Sequence, residues 1–399
     1  MHVILEKLAR ILPRQSQRQR IIALFSVVIV LISTIIWGGF GAATSQIKRV
    51  DVFKDRTERP KVVARSAVTY LIVGSDTREG LTRAEIKALK VGSTKVAAGK
   101  RSDTMLLVHI SKSRDHATIV SIPRDTFVLI PEWTDSEGKI HPPSYSKINA
   151  TFGRGDAPLL VQTLESMTDL RIDHYIEVSF LGFKEMVDAL GGVEICTKRK
   201  INDPKSHLVL PAGTHRLDGI TALKYVRTRY FDGMGDLGRM QRQQQFISAM
   251  IREASSAGVL LNPVKLVKFI GAALGSVTTD PGLTQDDLLT LAEQLRGIST
   301  KKVRTLTVPL SNENYYAHGV TAAVLWDKKL APQLWEKLRN DEEIFVEQTP
   351  KPTTTNKDGA EIPNKSGEKN QGAESSPSPS PTDIFKSRTA AVDSCGALR

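Results

Sequence analysis

The 399 residues carry a net charge of +12, which suggests a nucleic-acid partner, and are enough for one large domain or two ordinary ones around a substantial core. The distribution excludes that partner, because residues 1–65 hold twelve lysines and arginines against four acids, placing most of the excess beside a membrane-like segment. Two cysteines exclude a disulfide framework and a thiol metal site; Cys196 ends an apolar run and Cys395 lies in a polar tail, so the expectation is two unpaired residues, with a bond between them left open.

Ile21–Ala43 is an uncharged apolar run, about 35 Å long as a helix at ~1.5 Å per residue, enough to cross a bilayer once. It exceeds a signal-peptide core and no small-x-small site closes it, so an uncleaved anchor is expected. Lysines and arginines flank it almost evenly, so charge alone does not orient it. Residues 44–65 read as a polar linker. Ala67–Gly74 is predicted as a buried strand delivering Ser75, Asp76, Thr77 and Arg78 to its carboxyl end, where open α/β sheets place ligand groups. After a partly helical insertion at 80–100, Arg101-Ser102-Asp103-Thr104 leads into a strand at Met105–Ile110. Ala117–Ile122 forms a third strand, followed by Pro123-Arg124-Asp125-Thr126. Taken singly, each Asp is equally well explained by its neighbouring Arg or by a turn. Together, Asp76 and Asp103 make a carboxylate pair able to hold Mg²⁺ (or Mn²⁺) beside phosphate oxygens.

Lys147 and Asn149 lie in a turn-rich segment before a helix predicted from Asp156 to Thr168. A strand at His174–Ser179, a helix at Phe180–Leu190 stopped by Gly191-Gly192, and a strand at Val193–Cys196 follow. The alternation predicts an α/β fold with helices covering a mixed central sheet. Helical patterns continue through about 240–256, 262–275 and 284–296, then a strand at Val303–Val308 and a helix at Ala322–Arg339. From Thr349 onward few apolar residues remain, so a disordered C-terminal tail is expected. The histidines fall in no metal-ligand spacing, and no GxSxG, P-loop or HExxH signature occurs.

The richest stretch is Leu223–Phe246, with Arg227, Arg229, Arg239 and Arg242 beside Asp236 and Gln243, and Gly233, Gly235 and Gly238 between the two halves. Arg227 and Arg229 share a face only in extended backbone, whereas Arg239, Arg242 and Gln243 share one on a helix. A glycine turn joining such halves concentrates planar donors that suit a pyrophosphate. Taken alone, the stretch is better explained as a solvated basic helix end with surface ion pairs to Asp232 and Asp236.

Six segments together resemble the LytR-CpsA-Psr family of membrane-anchored envelope proteins. They are YLIVGSDTREG at 70–80, RSDTMLLVHI at 101–110, VSIPRDT at 120–126, KINATFGRGD at 147–156, FLGFKEMVDALGGVEI at 180–195, and ALKYVRTRYFDGMGDLGRMQRQQQF at 222–246. The resemblance spans about residues 67–255. It implies an α/β/α sandwich over 66–256, with 257–345 as an extension packed on it and 346–399 as the tail. It further implies a single-pass membrane protein, residues 1–20 cytoplasmic and the domain extracytoplasmic. The implied activity is transfer of a glycopolymer from a polyprenyl-pyrophosphate carrier to peptidoglycan. A polyprenyl-pyrophosphate phosphatase and a non-catalytic glycolipid-binding regulator are the alternatives. By position, Arg101, Arg124, Arg227, Arg229, Arg239, Gln243 and Lys147 resemble the pyrophosphate-contacting groups, with Arg124, Arg227, Arg229 and Asp103 as the catalytic set. Asp76 and Asp103 resemble the Mg²⁺-associated acids, and Arg78, Asp125, Asn149, Asp236 and Arg242 the remaining motif polar residues. The two acids stand twenty-seven positions apart, farther than in many members, so the 80–100 insertion threatens to separate them.

Overall fold

The computed structural model describes residues 48–91, 102–256, 277–284, 298–344 and 385–396, apart from single positions within these ranges, together with isolated residues between them. The predicted anchor at 21–43, Arg101, the helix predicted at 262–275, most of that at 284–296, and residues 345–384 lie outside the described residues.

The chain begins with β1 (Lys48–Arg49), β2 (Val68–Ser75), α1 (Arg83–Leu89), β3 (Ser102–Ile110) and β4 (Ala117–Ile122). Four short strands follow, β5 (Phe127–Ile130), β6 (Trp133–Thr134), β7 (Ile140–His141) and β8 (Ser144–Lys147), then α2 (Asn149–Thr168), β9 (His174–Val178) and α3 (Phe180–Ala189). Next come β10 (Val193–Thr197), β11 (Ile201–Asp203), β12 (Leu208–Leu210), β13 (Gly213–Leu217), α4 (Gly219–Val226) and α5 (Gly235–Ser256). The last are β14 (Val277–Thr279), β15 (Val303–Thr307), β16 (Leu310–Ala317), β17 (Val320–Trp326), α6 (Leu330–Arg339) and β18 (Arg388–Thr389).

Eight strands make one mixed sheet in the order β1-β14-β9-β2-β3-β4-β15-β18. The β2/β9 and β4/β15 pairs are parallel, and β2/β3 and β3/β4 antiparallel. The central strands are near-continuous apolar runs because both faces are covered. One face packs Leu71, Val73, Leu107 and Val120 against Leu160 and Leu164 of α2 and Leu334 and Trp335 of α6. The other packs Tyr70, Leu106 and Ile119 against Ile247 and Ile251 of α5. A separate apolar cluster joins α1, α3, α4 and α5 to β10–β13.

Several elements differ from expectation. Helix α2 starts seven residues early, with a kink where Gly155 and Asp156 leave helical geometry (φ −131° and 55°), which is where a sequence pattern places the start. Residues 322–326, predicted as the start of a helix, belong instead to β17 in a hairpin with β16, because cross-strand pairing overrides the helical preference of Ala322, Ala323 and Leu325. Arg227 and Arg229 do not lie on an extended strand; Arg227 closes α4 in αR geometry, and Arg229 follows in the loop. The tail returns to the fold: β18 pairs with β15, and Phe385, Ala390 and Ala391 are buried. Tail-wide composition hides this short FKSRTAAVD segment. Cys196 and Cys395 are bonded, across a sequence separation of 199, because the returning segment reaches β10.

Candidate active site

The carboxyl end of β2 and the start of β3 set the two acids. Gly74 pairs with Thr104 and Ser75 with Ser102, so Asp103 is the extra residue of a β-bulge, a device that re-aims a side chain where it occurs. The ladder, not the intervening segment, therefore holds Asp103 beside the end of β2 from which Asp76 follows. Both acids bear on the charge of Arg227.

Arg124, just past β4, is the hub. Its Nη1 lies 2.6 Å from Asp103 Oδ1, and its Nε lies 3.3 Å from Asp125 Oδ2 and 3.6 Å from Asp236 Oδ1. Lys147, at the end of β8, pairs with Asp125 at 3.1 Å. The backbone N–H of Asn149 donates to the Arg124 carbonyl (3.1 Å), tying the β8–α2 junction to this strand end. Asp236, in the first turn of α5, draws two more guanidiniums onto the oxygen that faces Arg124, Arg229 Nη2 at 2.7 Å and Arg239 Nη2 at 2.8 Å. Arg239 Nη1 also stands 3.5 Å from Asp103 Oδ2 and its Nη2 donates to the Asp103 carbonyl. Gln243, one turn on, donates to Thr104 Oγ1 (2.9 Å) and to the Val226 carbonyl, bridging the bulge to the end of α4.

Arg227 sits behind this group, its guanidinium 5.4 Å above the Phe180 ring and bonded to the Leu89 carbonyl. Burial and the charge of Arg78 lower its pKa, while Asp103 and Asp76 pull the other way, so Asp76 and Arg78 act on the same centre. Burial, partly offset by Asp236 and Asp103, likewise lowers Arg239. Both remain cations at any working pH. Burial disfavours the Arg124 charge, yet Asp103, Asp236 and Asp125 outweigh it and hold that pKa above its ordinary value. For Asp103 burial pushes the pKa up, and Arg239, Arg124 and Arg229 overcome it, leaving a carboxylate held below the usual range. In the connected network Arg124, Arg229, Arg239 and Lys147 face three carboxylates, with Arg227 adjoining, so an added anion meets a positive surplus. The side chain of Arg239 is only 4% exposed and its Nε has no hydrogen-bond partner, a donor left over in a buried position.

Arg242 points elsewhere: it pairs with Asp232 at 2.5 Å and donates to the Thr228 carbonyl, bracing the 228–236 loop against α5. Gly235 turns that loop at φ 55°, and a Cβ at Gly238 would meet an Asp232 carboxylate oxygen at 2.9 Å, so the brace closes only over glycine. A second brace is built on backbone amides. Asp203, buried at the end of β11, accepts from the N–H groups of Arg229 (2.6 Å) and Tyr230 (2.7 Å) through Oδ2, and from Lys205 and Ser206 (2.8 Å each) through Oδ1. Burial raises its pKa, but those four N–H groups outweigh burial and keep it ionised. The one sequence signal was Asp203-Pro204 as a turn dipeptide.

Thus the structure gathers Asp103, Arg124, Asp125, Lys147, Arg229, Asp236 and Arg239 into one network, with Gln243, Arg227, Asp76 and Arg78 around it, and leaves Arg242 outside. The Asp76/Asp103 set fits a hard divalent cation, since both are oxygen donors at adjoining strand ends whose charges act on one arginine.

A mixed α/β domain converges guanidiniums and carboxylates at one end of its sheet, a gathering of planar donors whose geometry suits an oxyanion. The LytR_cpsA_psr family model matches residues 40–340, well beyond the quoted motifs, and the chain belongs to that family. It is 38% identical over 297 residues to "Probable cell wall biosynthesis protein LcpB" of Corynebacterium glutamicum, covering 74% of this chain and 66% of the relative. It is 32% identical over 227 residues to "Polyisoprenyl-teichoic acid--peptidoglycan teichoic acid transferase TagV" of Bacillus subtilis, covering 54% and 55%. Among solved structures it resembles B. subtilis TagV (26% identity, TM-score 0.54, 70% of this chain and 98% of that one). It also resembles TagT bound to LI-WTA (27%, 0.51, 73% and 95%). The chain thus spans 66% and 55% of the length of these two curated relatives.

Proposed function

We propose that this protein transfers a glycopolymer from a polyprenyl-pyrophosphate carrier to peptidoglycan, with a phosphodiester as the new bond. The observation that carries this reading is the meeting of Arg124 with Arg229 and Arg239 on one oxygen of Asp236, which joins two distant parts of the chain. A diphosphate offers those donors more oxygens and more charge than the carboxylate does. The names of relatives that act on teichoic acid and peptidoglycan support the substrate class.

In the reaction a hydroxyl of the acceptor forms a bond to the sugar-linked phosphorus as the bridging P–O bond breaks, and polyprenyl phosphate leaves with the bond's electron pair. Arg124, Arg229 and Arg239 stabilise charge growing on the phosphoryl and leaving oxygens, already positioned by Asp236, Asp103 and Asp203. Asp103, held below the usual carboxylate range by its arginines, is a weak base. Asp125, beside Lys147, then takes the hydroxyl proton in this reading. Asp76 and Asp103 would hold Mg²⁺, which neutralises phosphate charge when bound.

Residues 21–43 would anchor the chain in the cell membrane with a cytoplasmic N-terminus and the domain outside. The Cys196–Cys395 bond supports an oxidising compartment for that domain. No helix among the described residues is long and apolar enough to cross a membrane. Arg229→Ala and Arg124→Ala should each abolish transfer of a lipid-pyrophosphate-linked polymer while leaving thermal unfolding intact. Full activity of either purified variant refutes the reading, and release of free polymer alone would make the protein a hydrolase.

A further inference from the structure

The outward face of the β5/β8 pair carries a row of rings that the pyrophosphate centre does not use. Phe127 pairs with Lys147 and Leu129 with Tyr145, so these four side chains share one face while Val128 and Ile130 are buried on the other. Phe127 lies on Tyr145 with centroids 5.1 Å apart and planes 8° from parallel. The β16/β17 hairpin adds His318, stacked on Tyr145 at 4.3 Å, and Tyr315, edge-on to Phe127 at 5.1 Å. His318 occupies the hairpin turn at φ 51°, a conformation that fixes where its ring goes. Yet the surface stays open, with Tyr145 42% and Leu129 48% exposed. A stack of rings left open on a folded protein marks a binding surface. Flat rings match the C–H face of a pyranose, through many weak contacts to the π faces.

The same face ends at Lys147, whose partner Asp125 also touches Arg124. Arg227, adjoining that arginine network, lies against Phe180, which packs on the buried apolar cluster of α1, α3 and α4. In-line displacement needs the nucleophile and the leaving group on opposite sides of phosphorus. A donor bound with its lipid towards Arg227 would leave the Lys147 end to the attacking hydroxyl. We propose that the Phe127–Tyr145–His318 face is the docking platform for the glycan strand of the peptidoglycan acceptor. This rests on the transferase reading above.

The test titrates the full-length protein with soluble, polymer-free peptidoglycan glycan fragments, and separately measures transfer with acceptor and donor varied in turn. Tyr145→Ala and His318→Asn, the latter chosen because Asn tolerates the turn's φ, should weaken glycan binding and raise the acceptor KM by roughly tenfold. Donor KM should move by less than about twofold, and Tyr145→Phe, which keeps the ring, should restore both acceptor values. Failure of the unaltered protein to bind the fragments overturns the proposal, as does unchanged binding in both ring-deleting variants. A change confined to donor KM overturns it too, because the face would then hold the donor's polymer. Glycan binding lost in the variants, in a protein that transfers nothing, would uphold the platform and sink the transferase reading.

Discussion

Asp203→Asn is the sharpest probe of how the loop bearing Arg229 is held. Its two oxygens accept four backbone N–H bonds, two from the 205–206 turn and two from Arg229 and Tyr230. An asparagine fits the space, but whichever way the amide turns, its NH₂ faces one pair of N–H donors, so two bonds are lost and the other two lose their charge. At about 1.5–3 kcal/mol for each charge-assisted bond, the loss is on the order of 3–6 kcal/mol. At roughly 2–4 °C per kcal/mol for a domain of this size, the melting temperature should fall by about 10 °C. If the Arg229 side of the carboxylate is the one sacrificed, kcat falls as well, because the guanidinium no longer waits beside Asp236. Differential scanning calorimetry and a transfer assay on the full-length variant read both effects. A variant with the unaltered protein's melting temperature and kcat would refute the account.

Arg239→Lys should keep the fold but cut transfer at least about a hundredfold, since one ammonium cannot span Asp103 and Asp236 as the fork does; single-turnover assays measure it. Cys395→Ser should lower unfolding stability by about 2–4 kcal/mol, seen in the urea midpoint, with the loss matched by reductant on the unaltered chain. His109 is buried between Thr69 and Asp341, and burial holds its pKa below 6.5. A depressed folded value means its contribution is complete above 6.5 and declines as pH falls from there toward the folded value, where the unfolded chain binds the proton first. His109→Gln should therefore flatten the drop in urea midpoint between pH 7.5 and pH 5.5.

The central strands were legible because runs such as Val68–Ser75 and Ala117–Ile122 are apolar on both faces, and the acid and arginine clusters at their ends were visible as residue types. The small hairpins were not, since β5 is only four residues long and β8 and β16 have no buried position to set an apolar period. Asp203 escaped because its partners are backbone amides, which any residue supplies. The bulge at Asp103 is a matter of register, which emerges only when two strands align. The disulfide joins cysteines whose surroundings in sequence share nothing, so only the folded chain brings them together.

The pairing of Arg388 and Thr389 with β15 also has a bearing on how the protein is handled. An unprotected border strand offers its amides and carbonyls to any neighbouring molecule. Trimming the chain after Ile344 would uncover that row and sever the cystine together, so clumping of such a fragment would reflect the cut and not the protein's natural habit.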